Sequence, residues 1–408
     1  MLPPIFPPLL NSANPWATTL EDLRALYKCP HTGAVTIRTS LLHGFPHDDA
    51  VHQYTFFNPS THHSTPESSS APSTSKGSLN TLGYSPIPLS GYLSMVSALS
   101  AEAAQQHRTT NPPANPKPII LSITGTVSEV VECHRLIHAH QLQTPIPLAI
   151  ELNLSCPNIP GKPPPAYSSD RLLEYLLALK RSAAELGAPE IPLGIKVPPY
   201  TYADQFSGLI KALSAVAKAE PEGKGCPVSF ITAVNTLGSS LLLTPAPSGD
   251  SNAGFKPTLN SASGEGIGGL AGAPLHPLAL GNVATLVRML GTREELRGVV
   301  VIGVGGVEDA EGFRRMRAVG AAAVGVGTAL GRRGSVFLGR FWRERRGESF
   351  EGRERWMDWD FKQVHWEFWI TGARVLLWGA GSGRHVTFLF YTFTIRATLC
   401  TIIQHLRP

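Results

Sequence analysis

The feature that most constrains this chain is a repeat of architecture rather than of sequence: short apolar runs, each followed by a stretch with helical spacing. Ala34–Arg38, Pro118–Ile123, Leu148–Leu154, Ile191–Val197, Ser229–Val234, Val299–Val304 and Ala322–Val326 are rich in Val and Ile and bounded by Gly, Pro or Asn. That is the pattern of parallel strands buried on both faces. Between them, Leu89–His107, Ser128–Gln141, Ser168–Leu186, Tyr202–Ala219, Pro277–Leu290 and Asp309–Val319 read as helices. With a first strand near Pro8–Ser12, the chain holds about eight β-then-α units over some 330 residues. Such alternation permits an open doubly wound sheet or a closed barrel, and a count near eight predicts an α/β fold of the (β/α)8 TIM barrel type.

Composition refines this. A chain of 408 residues, 42% hydrophobic and 16% charged, can bury a sizeable core. The net charge of +5 points at first to a polyanionic partner, but the excess is local: residues 1–330 carry −1 and residues 331–408 carry +6. Six of the seven tryptophans also lie in that last stretch. We therefore expect no nucleic-acid partner for the barrel. Cys29, Cys133, Cys156, Cys226 and Cys400 have no CxxC spacing, which argues against a metal site or a disulfide framework and fits a reducing compartment. Met1–Pro8 has no basic n-region, and no apolar run is long enough for a membrane helix. The expectation is a soluble, cytoplasmic protein.

In a barrel, chemistry belongs at the C-terminal ends of the strands. Arg38-Thr39, Asn153 through Asn158, Lys196, Asn235-Thr236, Gly305-Gly306 and Gly327-Thr328 all fall there. One such residue could be packing; the whole set at one end is not. Glycines after the seventh and eighth strands let backbone N–H groups approach a phosphate. Two other glycine-rich strings carry less. Gly264–Gly269 matches GxGxxG but follows a loop, with no acidic residue about 20 positions on, and Ala373–Gly383 has too little chain after it for a mononucleotide fold. Asn58–Gly77 is a Ser/Thr/Pro-rich stretch expected as a flexible insertion. Leu243–Gly264 is a long loop that serves either as a lid or as an idle insertion.

The string Glu151–Pro163, ELNLSCPNIPGKP, resembles the active-site signature of the class 1A dihydroorotate dehydrogenases. Ser78–Gly83, Gly194–Tyr200, Val234–Gly238, Gly266–Gly269, Gly303–Gly306 and Gly325–Leu330 match in order, so the likeness runs from about Leu9 to Phe337. The resemblance implies a soluble FMN enzyme that oxidises (S)-dihydroorotate to orotate, with fumarate as acceptor, in de novo pyrimidine (UMP) synthesis, and a homodimer. It implies that Cys156 is the general base at C5 of dihydroorotate while hydride leaves C6 for the flavin; a thiol suits, since its ordinary pKa lies near 8.5. Lys196 would sit near flavin N1 as a fixed cation. Arg38, Asn80, Gly83, Tyr84, Asn153, Asn158, Asn235 and Thr236 would bind substrate, the amides supplying both donors and acceptors and Gly83 and Tyr84 their backbone. Ala13, Arg38, Thr39, Asn153, Lys196, Val234, Gly269, Gly305, Gly306, Gly327 and Thr328 would hold FMN. A lone cysteine is more often an inert buried thiol; the neighbours Asn153, Pro157 and Asn158 favour catalysis for Cys156.

The pattern breaks in places. Arg38 stands where the family usually has Lys, an exchange that keeps charge but not shape. Ala13 replaces a usual Ser, and the loop after Arg38 lacks the family's Asn-Pro-x-Pro-Arg run. These breaks motivate two alternatives: an FMN oxidoreductase of the same fold with another substrate, or an inactive barrel-derived binding protein. The barrel is expected over 1–338. Residues 339–408 form an atypical Arg/Trp-rich tail, helical over Arg340–Arg355 and β-like at His385–Ile395. Its origin is open between an appendage, a membrane-surface patch and translated noncoding sequence, the last being our preferred reading.

Overall fold

Eight strands run parallel in one ring. In this computed structural model, residues 1–65, 72–107, 116–159, 161, 164–220, 225–246, 254–335 and 337–339 are described, together with the backbone of three strands between 365 and 391. In chain order the elements are β1 Leu9–Asn11, α1 Leu20–Lys28, β2 Val35–Thr36, β3 Tyr54–Phe57, β4 Ser64–Thr65, β5 Gly77–Asn80, α2 Leu89–His107, β6 Ile119–Ile123, α3 Val127–Gln141, β7 Leu148–Asn153, α4 Ser169–Leu186, β8 Leu193–Val197 and α5 Ala203–Lys218. There follow β9 Val228–Ala233, β10 Leu237–Ser240, β11 Leu243–Pro245, β12 Phe255–Pro257, β13 Gly268–Gly272, α6 His276–Gly291, β14 Val300–Val304, α7 Ala310–Ala318, β15 Ala323–Val326 and α8 Thr328–Arg333.

The main sheet has the order β1-β15-β14-β9-β8-β7-β6-β2. A parallel bridge between Leu10 and Ala34 joins its two ends, so the ring is a (β/α)8 barrel. The Asn11 side chain reinforces this seam: its Nδ2 donates to the Thr36 carbonyl (2.6 Å) and its Oδ1 accepts from Thr36 N (3.0 Å). Leu10, Ala34, Ile120, Ala149, Phe230, Ile302, Val304 and Ala323 fill the interior. Phe230 takes so much of that space that a Cβ on Gly194 would lie 2.2 Å from its ring. A larger apolar layer packs between the strands and the helices.

Helix starts follow local chemistry. Thr19 with Asp22 and Thr126 with Glu129 form capping boxes on α1 and α3. Asp309 accepts from Gly312 N at the start of α7.

A second, five-stranded sheet has the order β10-β13-β5-β3-β4. Residues 58–77, expected as a flexible insertion, contribute β4 and the start of β5 to it, while 66–71 lie outside the described residues. Phe57 and Leu79 pack with Leu242 and Leu259 in a small core, and hydroxyls add to it: Thr55 Oγ1 donates to the Thr65 carbonyl (3.1 Å), and Thr65 Oγ1 meets Ser75 Oγ (2.8 Å). The loop expected over Leu243–Gly264 holds the β11–β12 hairpin, with 247–253 outside the described residues.

Contacts along the chain define two compact units, Met1–Gly347 and Glu348–Pro408. Within the second, β16 His365–Thr371, β17 Arg374–Gly381 and β18 Arg384–Tyr391 form an antiparallel meander. The helix expected over Arg340–Arg355 lies outside the described residues.

Candidate active site

An open cavity lies at the C-terminal ends of the barrel strands. Of the residues the sequence singles out, Ala13, Arg38, Thr39, Asn80, Gly83, Tyr84, Asn153, Cys156, Asn158, Lys196, Val234, Asn235, Thr236, Gly305, Gly306, Gly327 and Thr328 all line it. Gly269 does not. It sits behind the wall, where its carbonyl accepts from Asn80 Nδ2 (3.1 Å) and where a Cβ would lie 2.2 Å from Thr236 Oγ1.

Strand register places the reacting groups. Asn153, the last residue of β7, pairs with Lys196 on β8, so both side chains emerge side by side into the cavity. A directional chain fixes the Asn153 amide. Its Nδ2 donates to Thr39 Oγ1 (2.9 Å), Thr39 meets Ser122 Oγ (2.9 Å), and Ser122 donates to the buried Glu151 carboxylate (2.8 Å). Because the carboxylate accepts, each hydroxyl must pass its proton toward it, and the Asn153 amide has one orientation. Its Oδ1 then accepts from Ser155 Oγ (3.0 Å) and Asn235 Nδ2 (3.3 Å). Asn158 Nδ2 donates to Asn80 Oδ1 (2.9 Å) and to the Leu82 carbonyl (2.9 Å), tying the β7–α4 loop to the second sheet.

Lys196 is 4% exposed, yet among the described residues its Nζ makes one long contact, 3.5 Å to the Ala13 carbonyl. Arg38 is held at 3.4 Å from the Gly83 carbonyl, and burial draws its pKa below the ordinary value. Burial pushes the Cys156 thiol up. The Asn158 backbone N–H, the Lys196 cation, the Tyr84 hydroxyl and Arg38 pull the other way.

At the other end of the cavity the wall is backbone. Gly306 has φ +66°, and a Cβ there would meet the Gly272 carbonyl at 2.5 Å, so only glycine permits this close approach. Arg315 Nε donates to His276 Nε2 (3.2 Å), which leaves His276 Nδ1 to donate to the Gly305 carbonyl (2.7 Å) and pins the loop. Glu308 lies at this end too, and its contact with buried Arg332 neutralises it, so it does not oppose an anion.

The sequence reading did not single out Trp16, Tyr54, Ser78 or Glu308, all of which line the cavity. Trp16 meets Tyr54 edge-on (5.4 Å) and stacks on Phe56 (5.6 Å), and a Cβ on Gly331 would lie 2.2 Å from its ring. No local sequence pattern marks these positions, because distant segments bring them to the cavity.

A thiol, a buried lysine, a half-buried arginine and a group of oriented amides at the C-terminal end of a (β/α)8 barrel define an enzyme site. The dihydroorotate dehydrogenase family model matches residues 58–344. "Dihydroorotate dehydrogenase (fumarate)" of Trypanosoma brucei brucei is 30% identical over 362 residues, covering 86% of this chain and 96% of that protein. "Dihydroorotate dehydrogenase A (fumarate)" of Lactococcus lactis subsp. cremoris is 27% identical over 341 residues, covering 83% and 88%. The crystal structure of a ligand-free dihydroorotate dehydrogenase from Eimeria tenella superposes with a TM-score of 0.54 at 16% identity, covering 83% of this chain and 82% of that one, and it supports the fold. The chain belongs to the dihydroorotate dehydrogenase family, flavin-dependent oxidoreductases acting on CH–CH groups.

Proposed function

We propose that the protein oxidises (S)-dihydroorotate to orotate through FMN, with fumarate as the electron acceptor, in de novo pyrimidine synthesis. The observation that carries this reading is Cys156 in one cavity with Lys196, Arg38 and the amides of Asn80, Asn153, Asn158 and Asn235. The fumarate-linked names of the relatives support the choice of acceptor.

The residues suit FMN. Gly305, Gly306, Gly327 and Thr328 offer a backbone recess for a phosphate, as strand ends seven and eight of such barrels do. Lys196 is a buried cation whose nearest protein acceptor is distant, suited to a ligand that gains negative charge. FMN, when bound, supplies the acceptor that takes a hydride from C6 of dihydroorotate and passes it on to fumarate. The chain's own part is proton handling and positioning. The Cys156 thiolate takes the C5 proton and becomes the thiol, and the C5–H electron pair becomes the second C5–C6 bond as hydride leaves C6. Arg38 faces the substrate carboxylate, and the four Asn side chains meet the pyrimidine amides with both donors and acceptors.

We further propose a cytoplasmic homodimer, as the resemblance of the sequence implies. Cys29, Cys133, Cys156 and Cys226 are free thiols, in keeping with a reducing compartment, and among the described residues no helix is long and apolar enough to cross a membrane. A visible spectrum tests the function. A yellow protein that bleaches with dihydroorotate in the absence of oxygen and recolours with fumarate is expected. A yellow protein that dihydroorotate does not bleach overturns the substrate, and a colourless one overturns the cofactor.

A further inference from the structure

Gly305 and Gly306, which follow β14, line the cavity, while His276, the first residue of α6, is buried behind them and does not. The packing is close: a Cβ on Gly306 would lie 2.7 Å from His276 Cβ and 3.0 Å from His276 N. Two successive glycines, at φ +137° and +66°, admit this approach. They also leave the peptide between them free to turn over, since neither has a Cβ to favour one orientation. One hydrogen bond decides it. His276 Nδ1 donates to the Gly305 carbonyl (2.7 Å), which holds that carbonyl toward a side chain outside the cavity. The peptide is trans, so the Gly306 N–H points the opposite way, and among the described residues it donates to no backbone or side-chain acceptor. Arg315 on α7 sets the imidazole. A guanidinium only donates, so His276 Nε2, 3.2 Å from Arg315 Nε, is the accepting nitrogen and Nδ1 carries the proton. Glu311 of the same helix reaches Arg315 Nη1 only at 4.0 Å and leaves Nε for the ring.

We propose that His276, set by Arg315, is a positioning residue for the phosphate of the flavin: it holds the Gly305–Gly306 peptide with its N–H toward the cavity, as a donor to that anion. The inference rests on the FMN reading of the cavity and deepens it by naming what gives the recess its preference for a phosphate. Neither side chain touches the ligand. The series of guanidinium, imidazole, carbonyl and N–H is polarised in one direction, so each member makes the next a stronger donor or acceptor. Without the Nδ1 donor, the peptide is free to turn its carbonyl toward the phosphate, where two negative ends would repel.

FMN and riboflavin differ only by the phosphate, so the pair isolates the effect. The full chain is loaded with one flavin or the other and diluted, and release is read as the return of free-flavin fluorescence. The wild-type protein should hold FMN roughly tenfold longer than riboflavin, or more. His276→Ala should speed FMN release roughly tenfold, the loss of one hydrogen bond to a charged group, and change riboflavin release by less than about twofold. His276→Asn, whose amide nitrogen stands where Nδ1 does, should restore slow FMN release. The phosphorus NMR resonance of bound FMN should move in the first variant and return in the second. Arg315→Met should speed FMN release by less, roughly two- to fivefold, and carries the test alone if the His276 variants do not fold. Unchanged FMN release, equal acceleration of both flavins, or no rescue by Asn overturns the proposal and leaves the cofactor reading standing. A wild-type protein that releases both flavins alike overturns the phosphate's place in this recess, and the proposal with it.

Discussion

The two ends of the barrel use lysine in opposite ways. At the N-terminal ends of the strands, Lys117 Nζ donates to the carbonyls of Leu26, Tyr27 and Cys29 and to Thr32 Oγ1, at 2.8–3.2 Å. Lys180 donates to the carbonyls of Val216, Ala217 and Ala219, at 2.6–3.3 Å. The carbonyls among these acceptors lie in or just after the last turns of α1 and α5, so each cation helps to finish a helix. At the catalytic end, Lys196 is as buried as Lys180 but holds one carbonyl at 3.5 Å. A buried cation whose donors are all met belongs to the fold. One whose donors face a cavity is held in place for a ligand.

Substitutions at the two ends should therefore separate activity from stability. The largest effect belongs to Cys156→Ala, which should keep FMN but lower the rate of flavin reduction by dihydroorotate about 10³-fold near neutral pH, the usual range for losing a general base. Stopped-flow absorbance checks it, and unchanged turnover would remove Cys156 from its role. Lys196→Met should cost roughly 10²–10³-fold in the same rate while shifting urea unfolding by less than about 1 kcal/mol. Lys180→Met should do the reverse, destabilising by about 2–4 kcal/mol as three helix-end carbonyls lose their donor, with the reduction rate of the folded fraction kept. If Lys196→Met unfolds the protein and Lys180→Met spares it, the contrast fails.

The smallest effect concerns pH. His134 on α3 is 5% exposed, its Nδ1 meets Ser182 Oγ (2.9 Å), and burial holds its pKa down to about 4. The unfolded chain takes up this proton near pH 6.5 and the folded chain does not until about 4. Stability should then fall as pH drops through that window, by up to about 3 kcal/mol, and level off below it. His134→Gln should flatten this part of the curve in urea titrations run at several pH values, with activity at pH 7 unchanged. A variant with the wild-type slope would show that His134 is not the group that titrates.

Much of the barrel was legible because strands buried on both faces must be apolar at nearly every position, as Ile119–Ile123 and Val300–Val304 are. The second sheet was not. Its strands YTFF, ST and GSLN are short, and their small core of Phe57, Leu79, Leu242 and Leu259 joins residues far apart in the chain. α1 escaped too, since only Leu23 and Leu26 of its nine residues are buried. Within the site, the groups at strand ends could be read because the fold dictates where strands finish. Trp16, Tyr54 and Glu308 could not, because their places in the cavity depend on how distant segments meet rather than on local pattern. Gly269 shows the converse: a motif position that the wall of the site uses while the cavity does not touch it.

The seam between β1 and its neighbours has a consequence for synthesis. Leu9 pairs with Val324, about 315 residues later in the chain. At 5–20 residues per second, a ribosome needs roughly 15–60 s to deliver the second partner after the first. For that interval the nascent chain carries an open sheet with two unpaired edges, one at β1 and one at whichever strand emerged last. Production in the cell should therefore depend on factors that shield these edges on the ribosome more than on the final stability of the ring.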